Sequence, residues 1–284
     1  MNRIDAMVMQ RIVFSLFTIA TVLVVIPLVA VLLFIFVQGI SVISPSFVLD
    51  FPYNGMTEGG IWPAIVGTVY LTLGTALFSI PIGLGAAIYL AEYAEDNSVT
   101  RLIRLAIINL AGVPSVVYGL FGLGLFVLFL NFGTSIVAGS LTLGILTLPV
   151  IISTSEEALR AVPYSYRVVS ASLGGTRWEG IRKIVLPQAA PGILTGIILG
   201  LERAAGETAP ILFTVAAFFL PQLPQSPFDQ AMALPYHLFV ISTQVPGMPV
   251  GIQYGTALVL IIFVLGMNLL ATTVRNYYRR RRAW

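Results

Sequence analysis

The chain has 284 residues, of which 57% are hydrophobic and only 10% are charged. Its mean hydropathy of +0.95 is typical of an integral membrane protein and argues against a soluble core. The absence of Cys excludes disulfides and thiolate metal sites, and the net charge of +3 does not indicate nucleic-acid binding, because the basic residues have a topological explanation.

Six apolar stretches predict an all-α polytopic membrane protein with six transmembrane helices. They are Ile12–Val37, Trp62–Leu90, Leu102–Leu130, Thr134–Ile152, Ala189–Phe219 and Ile252–Val274. The first is too long for a signal-peptide core, so we interpret it as a retained span. Pro81, Pro114 and Pro149 lie inside spans and predict kinked or broken helices.

The basic residues predict the orientation of these spans. All of the fifteen Lys and Arg except Arg203 fall in segments that share one side of the membrane. These residues are Arg3, Arg11, Arg101, Arg104, Arg160, Arg167, Arg177, Arg182, Lys183, Arg275 and Arg279 to Arg282. The positive-inside rule then places both termini in the cytoplasm. At the end of the second span, we expect Glu92, Glu95 and Asp96 to form a solvated patch opposite Arg101 and Arg104.

The stretch from Glu156 to Pro187 is long for a simple connection between spans. Basic and acidic residues alternate with apolar ones such as Leu173 and Trp178, which predicts two short amphipathic helices separated by Gly174-Gly175. Thr176 and Glu179 have the spacing of a capping box, and Pro187 is expected to end the second helix. Such a segment either lies on lipid headgroups or docks a cytosolic partner.

The fifth span carries the only charges between Ala189 and Leu220, which are Glu202, Arg203 and Glu207. A charge at membrane depth costs several kcal/mol and marks a pathway or a buried pair. Arg203 and Glu207 are four residues apart and are predicted to share one helical face. The pair is therefore either a static link between helices or an anion-handling group in a transport path.

Other polar residues of this region give weaker indications. Glu202 lies about 100° around the helix from Arg203, so we expect it to pair with a neighbouring helix. The hydroxyl of Thr208 could donate to an oxyanion or to its own helix backbone. Gly192, Gly196 and Gly200 form a small-residue face on which another helix can pack closely.

The proline-rich stretch 220–251 predicts an external cap with one short helix near Asp229–Ile241. It contains the only histidine, His237, which is expected to be a surface or hydrogen-bonded residue and not a ligand. No Ser lies in a pattern with His and Asp at membrane depth, so a hydrolytic triad is not indicated.

Three segments resemble a known family. Gly174, nine intervening residues and then Ile184-Val185-Leu186-Pro187 resemble the coupling-loop signature of type I ABC importer permeases, although Val168, Val169 and Ser170 replace its Glu-Ala-Ala opening. Arg203–Pro210 and Gly59–Ala64 resemble segments of the PstA-type permease subunits of phosphate importers. The resemblance covers roughly residues 58–275.

The resemblance implies a MetI-like fold and a permease subunit for phosphate in the inner membrane. It implies an N-terminal helix and external loop (1–61), a permease core (62–275) with a coupling loop (156–187), and a basic tail (276–284). The substrate pathway would involve Arg203, Glu207, Glu202 and Thr208. Coupling to the ATPase would involve Gly174, Gly175, Trp178, Glu179, Ile184, Leu186 and Pro187.

The implied partners are a PstC-type sister permease, two PstB-type ATPase subunits and an external PstS-type phosphate-binding protein, with no cofactor, metal or nucleic acid. The sole lysine, Lys183, follows Arg182 and does not belong to a P-loop, so ATP hydrolysis is expected in a separate subunit and not in this chain. Alternatives are a permease for sulfate or molybdate and a non-transporting assembly subunit.

Overall fold

The computed structural model of the chain describes residues 6–172 and 174–280. Arg3, Leu173 and the end of the predicted basic tail from residue 281 onward lie outside the described residues. Five helical stretches are long and apolar enough to cross a membrane: Met7–Val42, Trp62–Tyr93, Ile136–Arg160, Arg177–Gly206 and Val250–Thr273. A bent helix pair makes a sixth if it is counted as one span, so the predicted all-α class is confirmed.

The elements follow one another in this order. The α-helices are α1 (Ala6–Gly39), α2 (Pro45–Leu49), α3 (Trp62–Ile88), α4 (Ser98–Ala111), α5 (Ser115–Gly122), α6 (Ile136–Arg160), α7 (Tyr164–Ser172), α8 (Arg177–Gly180), α9 (Leu186–Gly206), α10 (Ala209–Thr214), α11 (Leu234–Thr243) and α12 (Val250–Arg280). Three π-helical segments occur at Tyr89–Tyr93, Leu123–Phe129 and Ile181–Val185. The strands β1 (Pro52–Tyr53) and β2 (Glu58–Gly59) form a small antiparallel hairpin.

The predicted third span, Leu102–Leu130, is not one straight helix. Helices α4 and α5 meet at an angle of 101°. Pro114 causes the break, because it has no N–H to donate and disfavours helical geometry at Val113. Helix α4 thus ends at Ala111, and a new helix starts at Ser115.

The core of the bundle is formed by α3, α6 and α9, and small residues let these helices approach closely. A side chain at Gly196 would overlap Thr154 of α6, and one at Gly192 would overlap Ala158. The small-residue face of the fifth span therefore packs against α6 of the same chain. Helix α1 packs against α12, with Phe34 and Tyr254 in an edge-to-face contact at 5.3 Å, and is otherwise exposed.

One end of the bundle collects Arg104, Arg160, Arg167 and Arg177 and is called the basic end below. At the opposite end, the predicted helix near Asp229–Ile241 is present but begins later, at Leu234. Asp229 instead closes a turn by accepting hydrogen bonds from the backbone N–H groups of Gln225 and Ser226, both at 2.8 Å. Helix α11 is largely buried, and the Leu234 N–H donates to the Thr68 hydroxyl of α3 at 2.8 Å.

Candidate functional site

The predicted fifth span, Ala189–Phe219, is a broken helix. Helix α9 ends at Gly206, Glu207 has an extended backbone (φ −73°, ψ 136°), and α10 starts at Ala209. Pro210 has no N–H and cannot continue the hydrogen-bond ladder of α9, which explains the break at this point. In membrane proteins, non-helical backbone at depth is tolerated where it is buried in protein or lines a cavity, and such breaks are common at binding sites.

Arg203 and Glu207 are brought together across this break. The Nε atom of Arg203 lies 3.4 Å from Oε1 of Glu207. The prediction that both residues share one helical face is wrong, because Glu207 lies beyond the end of α9, but the expected ion pair forms. The separation is longer than the roughly 2.7–2.9 Å of strong charge-assisted bonds, so the carboxylate holds the guanidinium only loosely.

The guanidinium of Arg203 retains unused hydrogen-bonding capacity. Its two Nη atoms donate to no group within residues 6–172 and 174–280. The side chain is 35% exposed, against 16% for Glu207, so the fork of the guanidinium is accessible from outside this chain.

A small cavity of about 10 Å³ lies beside Glu207. Its lining includes Thr68 and Thr72 of α3 and Pro235 of α11, and its size corresponds to one water molecule. Sequence reasoning missed both threonines. Their four-residue spacing on an apolar helix was the available signal, but each hydroxyl donates to a carbonyl of its own helix, as most intramembrane threonines do.

The remaining two predicted pathway residues make few contacts. The Oε1 atom of Glu202 is buried and has no hydrogen-bond partner in the described part of the chain, so the pairing with a neighbouring helix that we predicted is absent there. The hydroxyl of Thr208 makes no bond to its own helix backbone, and Thr208 precedes α10 without a side-chain cap.

The segment between α6 and α9 forms the predicted helical hairpin. Gly174 has a φ of +76°, a conformation that favours glycine, and it separates α7 from α8. The predicted capping box is confirmed, because Thr176 Oγ1 accepts from the Glu179 N–H and Glu179 Oε2 accepts from the Thr176 N–H.

Pro187 does not end the second helix as predicted. A continuous helical path runs from Arg177 to Gly206, and Pro187 lies in the first turn of α9, directly after the π-helical segment Ile181–Val185. Proline is tolerated at this position, because the first N–H groups of a helix have no acceptor within it. Glu156 likewise belongs to α6, so the true connection is shorter than 156–187.

The hairpin exposes apolar side chains. Tyr164 is 76% exposed and Trp178 is 51% exposed, with Val168 and Val169 also at the surface. A cluster of exposed apolar side chains of this kind is unusual on a helix that is covered neither by a partner nor by lipid.

The side chain of His237 is not at the surface and makes no hydrogen bond within residues 6–172 and 174–280. It is buried within α11, and its Nδ1 has no hydrogen-bond partner among the described residues. Burial lowers its pKa to about 4, so it is neutral at physiological pH. The expectation of a surface or hydrogen-bonded histidine is thus wrong.

Residues 79–284 match the family described as binding-protein-dependent transport system inner membrane component. The chain is 35% identical over 258 residues to the probable ABC transporter permease protein YqgI of Bacillus subtilis, covering 86% of this chain and 87% of that protein. It is 38% identical over 225 residues to the phosphate transport system permease protein PstA 1 of Mycobacterium tuberculosis, covering 79% and 73%. The probable phosphate transport system permease protein PstA of Methanocaldococcus jannaschii is 32% identical, covering 87% and 86%.

Solved structures support the same fold. A chain of a bacterial ABC transporter involved in the import of the acidic polysaccharide alginate aligns with a TM-score of 0.64 at 12% identity, covering 97% of each chain. A chain of the MetNI methionine ABC transporter in an inward-facing conformation aligns with a TM-score of 0.60 at 15% identity, covering 77% of this chain and 97% of that one. The MetI-like permease fold predicted from the sequence is therefore confirmed.

Proposed function

The chain belongs to the family of binding-protein-dependent transport system inner membrane components, and we propose that it is the permease subunit of an ATP-driven importer of inorganic phosphate. The names of several relatives support phosphate as the substrate. The single observation in the molecule that supports it best is the Arg203–Glu207 pair at the break of α9. A planar guanidinium grips a tetrahedral oxyanion through two parallel hydrogen bonds, which suits it to this substrate.

Glu207 would act as the resting partner of Arg203. When no phosphate is present, the carboxylate neutralises the guanidinium and limits the cost of a charge at membrane depth. An arriving phosphate would bind the free Nη edge and displace the loosely held carboxylate, which would return after the anion leaves. Glu202 and Thr208 flank the same helix break and are proposed to contribute to the pathway, Thr208 as a hydrogen-bond donor.

A second permease subunit would complete the pathway. Phosphate at neutral pH carries more than one negative charge, and Glu207 repels it, so Arg203 alone is a weak counter-charge. The 35% exposure of Arg203 lets it reach into a space shared with another chain. A sister subunit that supplies a second cationic group there would balance the charge of the substrate.

The hairpin α7–α8 is proposed to dock the ATPase subunits from the cytoplasm. Its exposed Tyr164 and Trp178 offer apolar anchors, while Gly174 and Gly175 set the turn, and Glu179 fixes the start of α8. Ile184, Leu186 and Pro187 would transmit force into α9. In this proposal the basic end and both termini would face the cytoplasm, and an external phosphate-binding protein would dock at the opposite end.

Phosphate uptake measured in cells that carry the complete transport system, with and without this chain, tests the proposal. Uptake of radiolabelled phosphate should depend on the chain, and excess sulfate or molybdate should not compete. Competition by sulfate or molybdate would identify a permease for another oxyanion. Undiminished phosphate uptake without the chain would leave it an assembly subunit.

A further inference from the structure

The basic end of α3 is held by arginines from three different segments. In the π-helical segment Tyr89–Tyr93, the Leu90 carbonyl accepts hydrogen bonds from Arg104 Nη2 at 3.1 Å and Arg160 Nη2 at 3.2 Å. The Glu92 carbonyl accepts from Arg177. Helix C-termini present unpaired carbonyls and a partial negative charge, and cations stabilise them. The arginines that orient the chain are therefore also structural ligands of this helix end.

The side chain of Glu92 is the most deeply buried carboxylate in this region, at 5% exposure. The expectation that Glu92 lies in a solvated patch is therefore wrong, whereas Glu95 and Asp96 are exposed as predicted, with Asp96 Oδ1 3.8 Å from Arg101 Nε. Arg167 of α7 grips it with Nη2 2.6 Å from Oε1 and Nε 3.1 Å from Oε2. The same guanidinium donates to the carbonyls of Val162 and Leu159, at 2.7 and 3.0 Å. This short, bidentate pair has the geometry of a fixed connection.

Glu92 consequently contacts both helices of the α7–α8 hairpin. Its carboxylate binds Arg167 of α7, and its carbonyl binds Arg177 of α8. Arg177 also lies over the ring of the neighbouring Tyr93, with its guanidinium carbon 4.9 Å from the ring centre. A displacement of the hairpin would therefore pull on the end of α3 through two separate contacts.

A second buried carboxylate offers a natural comparison. Glu156 also binds two arginines, with Arg104 Nε and Arg160 Nε each 2.9 Å from Oε1. Those partners belong to α4 and α6, and neither lies on the α7–α8 hairpin. Glu156 thus has the same chemistry and a similar burial without the connection to the hairpin.

At its other end, α3 reaches the candidate transport site. Thr68 and Thr72 line the small cavity beside Glu207. From Thr72 to Glu92 the helical path rises by roughly 30 Å, with Pro81 in its interior. A packed helix of this length can carry a displacement between the two sites.

We propose that Glu92 is a positioning residue that couples the α7–α8 hairpin to α3 and thereby links ATP-driven motion to the transport site. The proposal rests on the proposed function insofar as the hairpin docks the ATPase. It gives the Glu92–Arg167 pair a mechanical role that differs from that of Arg203 and Glu207. The Glu92–Arg167 pair is short, buried and fixed, whereas the Arg203–Glu207 pair is long, partly exposed and exchangeable.

The test uses the purified complete complex in liposomes with the external binding protein and phosphate, and it measures uptake and ATP hydrolysis in the same vesicles. Glu92→Gln should reduce the phosphate carried per ATP by about fivefold or more, and Glu92→Asp should restore part of it. Glu156→Gln should lower the yield of complex but leave that ratio unchanged. An unchanged ratio in Glu92→Gln and in Arg167→Lys would overturn the proposal.

A second measurement does not depend on which anion is carried. The chain has no Cys, so a spin label can be attached through Leu77→Cys on α3, where the native side chain is 80% exposed. Addition of ATP should change the label's spectrum in the parental complex and in Glu156→Gln, but not in Glu92→Gln. Persistence of the change in Glu92→Gln, or its absence from the parental complex, would refute the role of Glu92 even if phosphate proves not to be the substrate.

Discussion

Arg203 and Glu207 form an ion pair whose Nε–Oε1 separation is 3.4 Å, although α9 ends between the two residues. The pair therefore bridges a helix and a stretch of extended backbone, and a small change in the backbone at Glu207 alters the distance. In Glu92 and Arg167, by contrast, the shortest separation is 2.6 Å, between Nη2 and Oε1, and both side chains are less exposed. The two pairs are suited to different tasks.

Arg203→Lys tests whether Arg203 binds the substrate. Lysine keeps the charge but loses the planar fork, so one charge-assisted hydrogen bond to phosphate, worth about 1.5–3 kcal/mol, is lost. Phosphate uptake should fall by roughly tenfold to a hundredfold. The measurement is uptake of labelled phosphate divided by the amount of the subunit in the membrane. If the loss follows the protein amount instead, Arg203 is only a structural link between helices.

Glu207→Gln should have a different effect. Without the carboxylate, Arg203 lacks its resting partner, so phosphate should be held on the order of tenfold more tightly and released more slowly. We expect a lower KM for phosphate together with a lower maximal rate. The double variant Arg203→Gln with Glu207→Gln should reach the parental amount of subunit in the membrane, because no unpaired charge remains. It should not, however, take up phosphate at the parental rate. Parental uptake by the double variant would contradict the pathway role of the pair.

Gly174→Val should weaken docking of the ATPase. The φ of Gly174 is +76° and a Cβ there would meet no neighbour, so the penalty is backbone strain of about 1–2 kcal/mol. The fraction of the ATPase that co-purifies should fall by about fivefold to thirtyfold. Gly55→Val is a matched control, because Gly55 has a φ of +64° and is equally uncrowded but lies in the hairpin loop between β1 and β2. Equal losses in both variants would show a general folding defect.

The stability of the end of the bundle that contains α11, opposite the basic end, should depend on pH through His237. Its pKa in the folded chain is about 4, below the value of 6.5 for the unfolded chain, so the unfolded state binds more protons between these values. Stability is therefore complete above pH 6.5 and is lost as the pH falls towards 4. Between pH 7.5 and pH 5 the loss should be roughly 2 kcal/mol. Thermal unfolding of the parental chain and of His237→Gln would show it, since the variant should lose most of this dependence.

The orientation of the chain can be tested with single cysteines, because the sequence has none. Leu49→Cys and Gln225→Cys replace exposed residues at the opposite end, and Ser172→Cys replaces an exposed residue beside the α7–α8 turn. In sealed cells, a membrane-impermeant maleimide should label the first two and should label Ser172→Cys only after the cells are opened. Labelling of Ser172→Cys in sealed cells would reverse the topology and remove the docking assignment.

The sequence predicted those features that depend on neighbouring residues. Hydropathy located the spans, and the capping box of Thr176 and Glu179 followed from a three-residue spacing. The breaks were harder to predict. Pro114 and Pro210 both interrupt helices, but Pro149 lies inside α6 without ending it, so the residue type alone does not decide the outcome.

The pairing of charged residues could not be predicted from the sequence. Glu92 and Arg167 are separated by 75 positions, and the charge rule from which the orientation is predicted treats every arginine alike. Only the packing of α3 against α6 brings the end of α3 under α7. The same applies to the cavity beside Glu207, which requires α3 and α11 to meet α9.

Helix α1 has a consequence for handling the protein outside its membrane. None of its most apolar stretch is buried within the chain, and its mean hydropathy is 3.1. Within the described residues it packs mainly against α12, so in a bilayer we expect its position to depend on the surrounding acyl chains more than on protein contacts. Extraction with a harsh detergent should therefore displace α1 before it disturbs α3, α6 and α9, and added lipid should protect it.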